Sequence, residues 1–223
     1  EGFNINPRTH FKLIDLGAGD GTKTLELLKV LVAQDFNFSY VPIDISQNAL
    51  DGVVANFSKI LPTLNIETQQ GSYFEVLESL SVIKEPKILL FMGSNLGNMK
   101  DEEAAEFMRT LSNNLSSGDR LLLGLDLIKS RDIVLPAYND PKGITQAFNL
   151  NVLERINQEL GADFVLDNFE HSPEYMEETG LALSYLTSLV QQKVSIKKLN
   201  KVSKKKCYIC KNIFDSLELV LSN

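Results

Sequence analysis

Cysteine is scarce: Cys207 and Cys210 are the only two in 223 residues. Two cysteines cannot staple a fold of this size, which excludes a disulfide framework and makes a reducing cytoplasm the expected compartment. They form a lone C-x-x-C, and the only histidines, His10 and His171, lie far from it in sequence. A four-ligand zinc centre is therefore not expected, nor is a thioredoxin-type redox site, which belongs to a different fold. As a single histidine outside the strand-end loops, His171 reads as structural rather than as a general base. No run of eighteen apolar residues occurs, so no membrane-spanning helix is predicted. The opening stretch EGFNINPRTH has neither the basic nor the apolar region of a signal peptide. Internal repeats and low-complexity linkers are lacking as well.

Positive charge is in short supply over most of the chain. The net charge is −7, and eight of the 22 basic residues fall between Lys193 and Lys211, a stretch without acids. The remainder carries 14 basic against 29 acidic side chains. A basic segment on an acidic body could touch nucleic acid or an anionic membrane, but such a charge block reads first as a solvated tail, so no membrane partner is expected and nucleic acid is disfavoured. At 43% hydrophobic and 23% charged, the composition fits one globular domain over residues 1–190 with a divergent lysine-rich tail over 191–223.

What is present is a rhythm of strands and helices. FKLIDLG (11–17) and SYVPIDI (39–45) read as strands, with Leu25, Leu28 and Val32 forming a helical stripe between them. Ser46 is a candidate N-cap for a helix carrying Leu50, Val53, Val54 and Phe57. A short strand over Ile66 to Gln70 and a weak helix around Phe74 to Leu80 follow. PKILLFMG (86–93) is continuously apolar, as a central strand covered on both faces would be. Asp101 opens an amphipathic helix with Ala104, Met108, Leu111 and Leu115 on one face, and RLLLGLDL (120–127) reads as a fifth buried strand. Five such units predict a doubly wound, mostly parallel α/β sheet. Later, Ile144 to Leu160 predicts one long helix stopped by Gly161, and LALSYLTSL (181–189) a half-exposed antiparallel strand added to the sheet.

The chemistry concentrates after the first strand. In IDLGAGDGTKTLELL, three glycines at 17, 19 and 21 interrupt the apolar run before a helix resumes. In an open α/β sheet, ligands settle outside the carboxyl ends of the strands, and bare backbone at Gly17 and Gly19 would let one lie close. The next strand ends in Asp44, twenty-three positions past Gly21, where a carboxylate can take both ribose hydroxyls of an adenosine. A dinucleotide fingerprint would place its third glycine at position 22, which is Thr22 here. Lys23 sits in the first helical turn, where a cation opposes the helix dipole unless a ligand carboxylate compensates it. S-adenosylmethionine carries such a carboxylate and no pyrophosphate, so the pattern favours this methyl donor over NAD. After the fourth strand, FMGSNLGN (91–98) brings Gly93 and Asn98 to the same end of the sheet, Asn98 offering both a donor and an acceptor to an amino-acid substrate.

DLGAGDGTKT, YVPIDIS, FMGSNLGN, GDRLLLGLDLIK, AYNDPKGITQAFNLNVL and ELGADF, in that order, resemble the histidine-specific methyltransferases of ergothioneine biosynthesis. Those enzymes use S-adenosylmethionine to trimethylate the α-amino group of histidine. The resemblance implies a class I, Rossmann-like methyltransferase fold with an antiparallel C-terminal addition. It implies that Gly17, Lys23 and Asp44 contact the donor and that Gly93, Asn98 and Tyr138 line the amino-acid site. Where the family has an acidic residue holding the adenine amino group, this chain has Ser72 in GSYF, which shifts the expected contact to Ser72 or the Tyr73 backbone. The family's imidazole-reading glutamate and serine are not recognisable beyond residue 190. The expected activity is N-methylation of an amino acid, histidine first, without a dedicated catalytic side chain. The alternative is a donor-binding module whose substrate half is incomplete.

Overall fold

The computed structural model describes residues 6–93, 95–199, 201–203, 207–211 and 217–221. The chain divides into two compact units, residues 1–126 and 127–223.

The first unit is built on a parallel sheet. Its strands are β1 (Phe11–Leu16), β2 (Phe38–Asp44), β3 (Asn65–Ile66), β4 (Gln69–Gln70), β5 (Lys87–Phe91) and β6 (Arg120–Leu123). Spatially they run β3-β2-β1-β5-β6, with β4 also alongside β2. The expected third strand is thus two short ones: Asn65–Ile66 and Gln69–Gln70 each pair with β2. Four helices connect the strands: α1 (Thr22–Ala33), α2 (Gln47–Ile60), α3 (Tyr73–Leu80) and α4 (Asp101–Asn113).

Period-two alternation sorts the sheet into two apolar layers. Phe11 and Leu13 of β1 join Tyr40, Ile88 and Leu90 against Leu25 and Leu28 of α1 and Val53 and Phe57 of α2. Ile14 and Leu16 point the other way, with Val41, Ile43, Leu89 and Phe91, against Val76 of α3 and Phe107 and Leu111 of α4. Two expectations change here. The buried face of α4 centres on Phe107, whose ring lies 4.9 Å from that of Phe91, whereas Ala104 and Met108 are only half-buried. The fifth long strand is shorter than expected: β6 ends at Leu123 and alternates exposed with half-buried residues, as an edge strand does.

At the amino ends of the strands a buried ion pair ties β5 to the turn before β6. Lys87 Nζ lies 2.9 Å from Asp119 Oδ2, with both side chains almost fully buried. Asp119 also accepts the backbone N–H groups of Lys87 and Ser116. Burial alone would raise this carboxyl, but those bonds and the ammonium outweigh it and hold Asp119 below its usual value.

The second unit contains α5 (Arg131–Tyr138), α6 (Ile144–Leu160) and strands β7 (Phe169–Met176), β8 (Leu181–Ser188), β9 (Val194–Ile196), β10 (Lys201–Ser203), β11 (Cys207–Lys211) and β12 (Leu217–Leu221). Strands β7 and β8 pair antiparallel from Phe169↔Ser188 to Met176↔Leu181. These strands do not extend the parallel sheet; they form a four-stranded sheet, β12-β11-β8-β7, and a β9-β10 pair. Gly161, in the left-handed region at φ 66°, ends α6 as expected. Leu153 of α6 packs with Phe164, Phe169, Leu186 and Val194 to form this unit's core.

Candidate functional site

Strand order reverses at β1: β2 follows it on one side, while β5 lies on the other. That switch point is where an open α/β sheet leaves a crevice outside its carboxyl ends. A cavity of about 220 Å³ occupies it, lined by Asp15, Gly17, Ala18, Gly19, Asp20, Lys23, Thr24, Met92, Gly93 and Asn95. The loop after β1 supplies one wall and the residues after β5 the other.

Two of the three glycines divide the work. Gly19 has φ 57°, and a Cβ there would meet nothing within 4 Å. Its face is bare backbone turned to open space, as a ligand cradle requires. Gly21 has φ 70°, and a Cβ there would stand 2.5 Å from the Phe57 ring. The glycine that arrives one position early for a dinucleotide fingerprint is therefore a packing residue, seating the start of α1 against α2.

Two carboxylates hold the loop. Asp44, at the end of β2, accepts the Gly19 N–H on Oδ2 and the Ser46 N–H on Oδ1, both at 2.9 Å. Asp15 faces α1 and is 3% exposed. Its Oδ2 accepts hydrogen bonds from Thr24 Oγ at 2.6 Å and from the Tyr40 hydroxyl at 2.9 Å, so β1, α1 and β2 meet at one oxygen. Burial raises the Asp15 carboxyl above its usual value despite those two donors. No hydrogen bond from a described residue reaches its Oδ1.

Lys23, the second residue of α1, lines the cavity, and its Nζ lies 3.5 Å from where a Cβ on Gly93 would stand. Gly93 has φ 79°, a left-handed backbone conformation that strains any side chain placed beside that ammonium. Among the described residues Lys23 forms no hydrogen bond or ion pair. Asp20, exposed at the loop tip, accepts the Thr22 N–H at 3.0 Å. Bonds from Thr22, and then the charge of Lys23, hold the Asp20 carboxyl below its usual value.

The remaining expected residues fall in several places. Asn98 ends the 3₁₀ turn Asn95–Asn98 and is half-buried, while Asn95 at the start of that turn lines the cavity. Gly71 and Ser72 lie beside Asp44, where the Gly71 N–H donates to the Asp44 carbonyl at 3.1 Å. Ser72 is the N-cap of α3 and forms a capping box with Glu75, its hydroxyl 2.7 Å from Glu75 Oε2. Tyr73 begins α3, and its side chain lies outside the described residues. Tyr138 is the last residue of α5 in the second unit, half-buried, with Asn139 as C-cap. His171 lies on β7, its Nε2 3.4 Å from Ser184 Oγ. The side chains of Cys207 and Cys210 lie outside the described residues, among which no cluster of metal-ligating side chains occurs.

Asp15, Thr24, Met92 and Asn95 were not anticipated. For Asp15 the signal was an acid two positions before the first glycine, masked by reading FKLIDLG as an apolar strand.

The crevice can thus offer a fixed cation, a buried carboxylate and a strip of bare backbone. That combination complements the ammonium and carboxylate of an amino acid.

Comparison with known proteins agrees. The model of a family described as "Histidine-specific methyltransferase, SAM-dependent" matches residues 4–210. The histidine N-alpha-methyltransferase of Mycolicibacterium smegmatis is 34% identical over 188 residues, 84% of this chain and 58% of that protein. The protein of the same name from Mycobacterium tuberculosis is 35% identical over 159 residues, covering 71% and 49%. The L-tryptophan methyltransferase trpM of Psilocybe serbica is 26% identical over 201 residues, covering 80% and 55%. The chain spans about half the length of these curated relatives.

Proposed function

The chain belongs to the histidine-specific, S-adenosylmethionine-dependent methyltransferase family, and on that footing we propose that it methylates the α-amino group of an amino acid, with histidine the leading acceptor. The observation that carries this reading is Lys23: an ammonium in the first turn of α1 without an ion pair among the described residues, beside Gly93 in a cavity that Asp15 also lines.

The residues fit the donor. Lys23 would bind its carboxylate, Gly17 and Gly19 would admit its amino-acid chain against bare backbone, and Asp44 would clasp its ribose. A carboxylate has about four acceptor sites. Asp44 uses two on Gly19 and Ser46, which leaves two for the ribose hydroxyls. The cavity is smaller than the roughly 300–1,000 Å³ of a pocket that encloses a whole drug-sized ligand. It suits one end of the donor, with the adenosine lying along Asp44, Gly71 and Ser72.

When bound, the donor supplies an activated methyl group on a sulfonium whose departure leaves a neutral thioether. The chain has to bring an unprotonated amine into line with that methyl and exclude water. Positioning of this kind is worth roughly 7–11 kcal/mol of barrier. An α-amino group titrates near about 7.7–8.0, so a neutral fraction exists at neutral pH without a dedicated base. Gly93 and Asn98 are the residues of the first unit that we assign to holding the acceptor.

Incubating the protein with S-adenosylmethionine and a panel of amino acids, followed by mass spectrometry, tests the reading. The expected product is histidine heavier by one to three methyl groups. Donor binding without product from any acceptor would leave the binding module as the function.

A further inference from the structure

Asn95 starts the 3₁₀ turn Asn95–Asn98 and stands half-buried in the wall of the crevice. An asparagine in that position ordinarily spends its side chain on the turn, accepting one of the turn's backbone N–H groups. Here the amide makes no hydrogen bond among the described residues, so the turn does not account for it.

Gly93 locates the amide relative to Lys23. From the point where a Cβ on Gly93 would stand, Asn95 Oδ1 is 3.9 Å away, Asn95 Nδ2 4.0 Å and Lys23 Nζ 3.5 Å. An ammonium and a primary amide thus flank one space that the glycine leaves empty, and Gly93 itself lines the crevice.

Charge decides what fits there. Lys23 brings three donors and no acceptor, and the amide adds two donors more. A carboxylate answers both, because it carries the opposite charge and has about four acceptor sites to fill. In an amino acid an ammonium accompanies that carboxylate, and Asp15 on the wall of the same crevice is its complement, which leaves Asn95 for the acid.

We propose that Asn95 binds the carboxylate of the methyl donor together with Lys23, its Nδ2 donating to one oxygen while the ammonium takes the other. This rests on the reading of the crevice as the S-adenosylmethionine site. Lys23 supplies attraction, but an ammonium on a flexible stem is a point charge and leaves the carboxylate free to swing. The amide is directional and fixes it. A fixed carboxylate holds the sulfonium and its methyl group in one place, as an in-line displacement requires.

The test is calorimetry on the whole chain with two ligands: S-adenosylhomocysteine, and S-adenosyl-3-thiopropylamine, the same molecule without its carboxylate. Asn95→Ala should weaken S-adenosylhomocysteine by roughly ten- to a hundredfold, the worth of a hydrogen bond to a charged group. The decarboxylated ligand should bind that variant within about twofold of the wild type. Asn95→Asp keeps the shape and sets an anion against the ligand's own, so it should weaken the first ligand by roughly tenfold or more and spare the second. It serves as the second variant if Asn95→Ala fails to fold. Equal losses for both ligands would mark a general role in shaping the crevice and overturn the assignment. Unchanged S-adenosylhomocysteine affinity overturns it too, even where the KM of an acceptor rises. A wild type that takes S-adenosylhomocysteine no better than the decarboxylated ligand contradicts the donor reading itself, and Asn95 falls with it.

Discussion

Oδ2 of Asp44 accepts the Gly19 N–H at 2.9 Å, fixing the bare backbone of the glycine loop to the end of the neighbouring strand. One side chain thus shapes the loop and presents its remaining lone pairs to a ribose. Asp44→Asn replaces one acceptor oxygen with an NH₂ that faces a backbone N–H. The expected result is a loss of about 1.5–3 kcal/mol of stability, together with at least a tenfold drop in S-adenosylhomocysteine affinity. Chemical denaturation and calorimetry on the same preparation check both.

Lys23 should behave in the opposite way towards stability. Its charge opposes the dipole of α1, so Lys23→Met is expected to leave stability unchanged or raise it by about 0.3–1 kcal/mol. Donor affinity should fall by ten- to a hundredfold. A variant that loses both together would mark Lys23 as structural.

Asp15 carries a pH dependence. Burial raises its folded-state carboxyl above the unfolded value of about 3.9. Between those two values the folded protein holds more protons than the unfolded chain, so this residue's contribution to stability declines as pH rises through that window. Asp15→Asn keeps an oxygen for Thr24 and Tyr40 and removes the buried charge. The variant should gain on the wild type as pH rises from 4 towards neutral, as measured by urea unfolding at a series of pH values. An equal difference at every pH would contradict the assignment.

Asp119 sits at the other end of the sheet, where the donor does not reach. Asp119→Ala strands the buried Lys87 ammonium and should cost about 3–5 kcal/mol, while the remaining folded protein binds S-adenosylhomocysteine as the wild type does. Thermal unfolding with and without ligand separates the two effects.

Much of the first unit was legible because each strand is a compact apolar run and each helix a clear stripe. Glycine spacing and Lys23 likewise pointed to the crevice, and Asp44 marked the strand end that bonds its loop. What escaped had physical reasons. Asp15 hides in a buried strand because its polarity is satisfied by Thr24 and Tyr40, residues distant in pattern though adjacent in space. Asn95 and Asn98 flank a single 3₁₀ turn, and composition does not say which of the two meets the cavity. The helix α5 contains Pro136, a residue that argues against helix in sequence. Strand β7 carries Pro173 and several charged residues, which its place at the edge of the antiparallel sheet tolerates.

A crystal structure of the chain with S-adenosylhomocysteine tests the central claim most directly. The ligand's carboxylate should lie within ion-pair distance of Lys23 Nζ, its amino-acid chain over Gly19, and its ribose hydroxyls on Asp44. A ligand bound elsewhere, or in this crevice with Lys23 and Asp44 both turned away from it, would contradict the account.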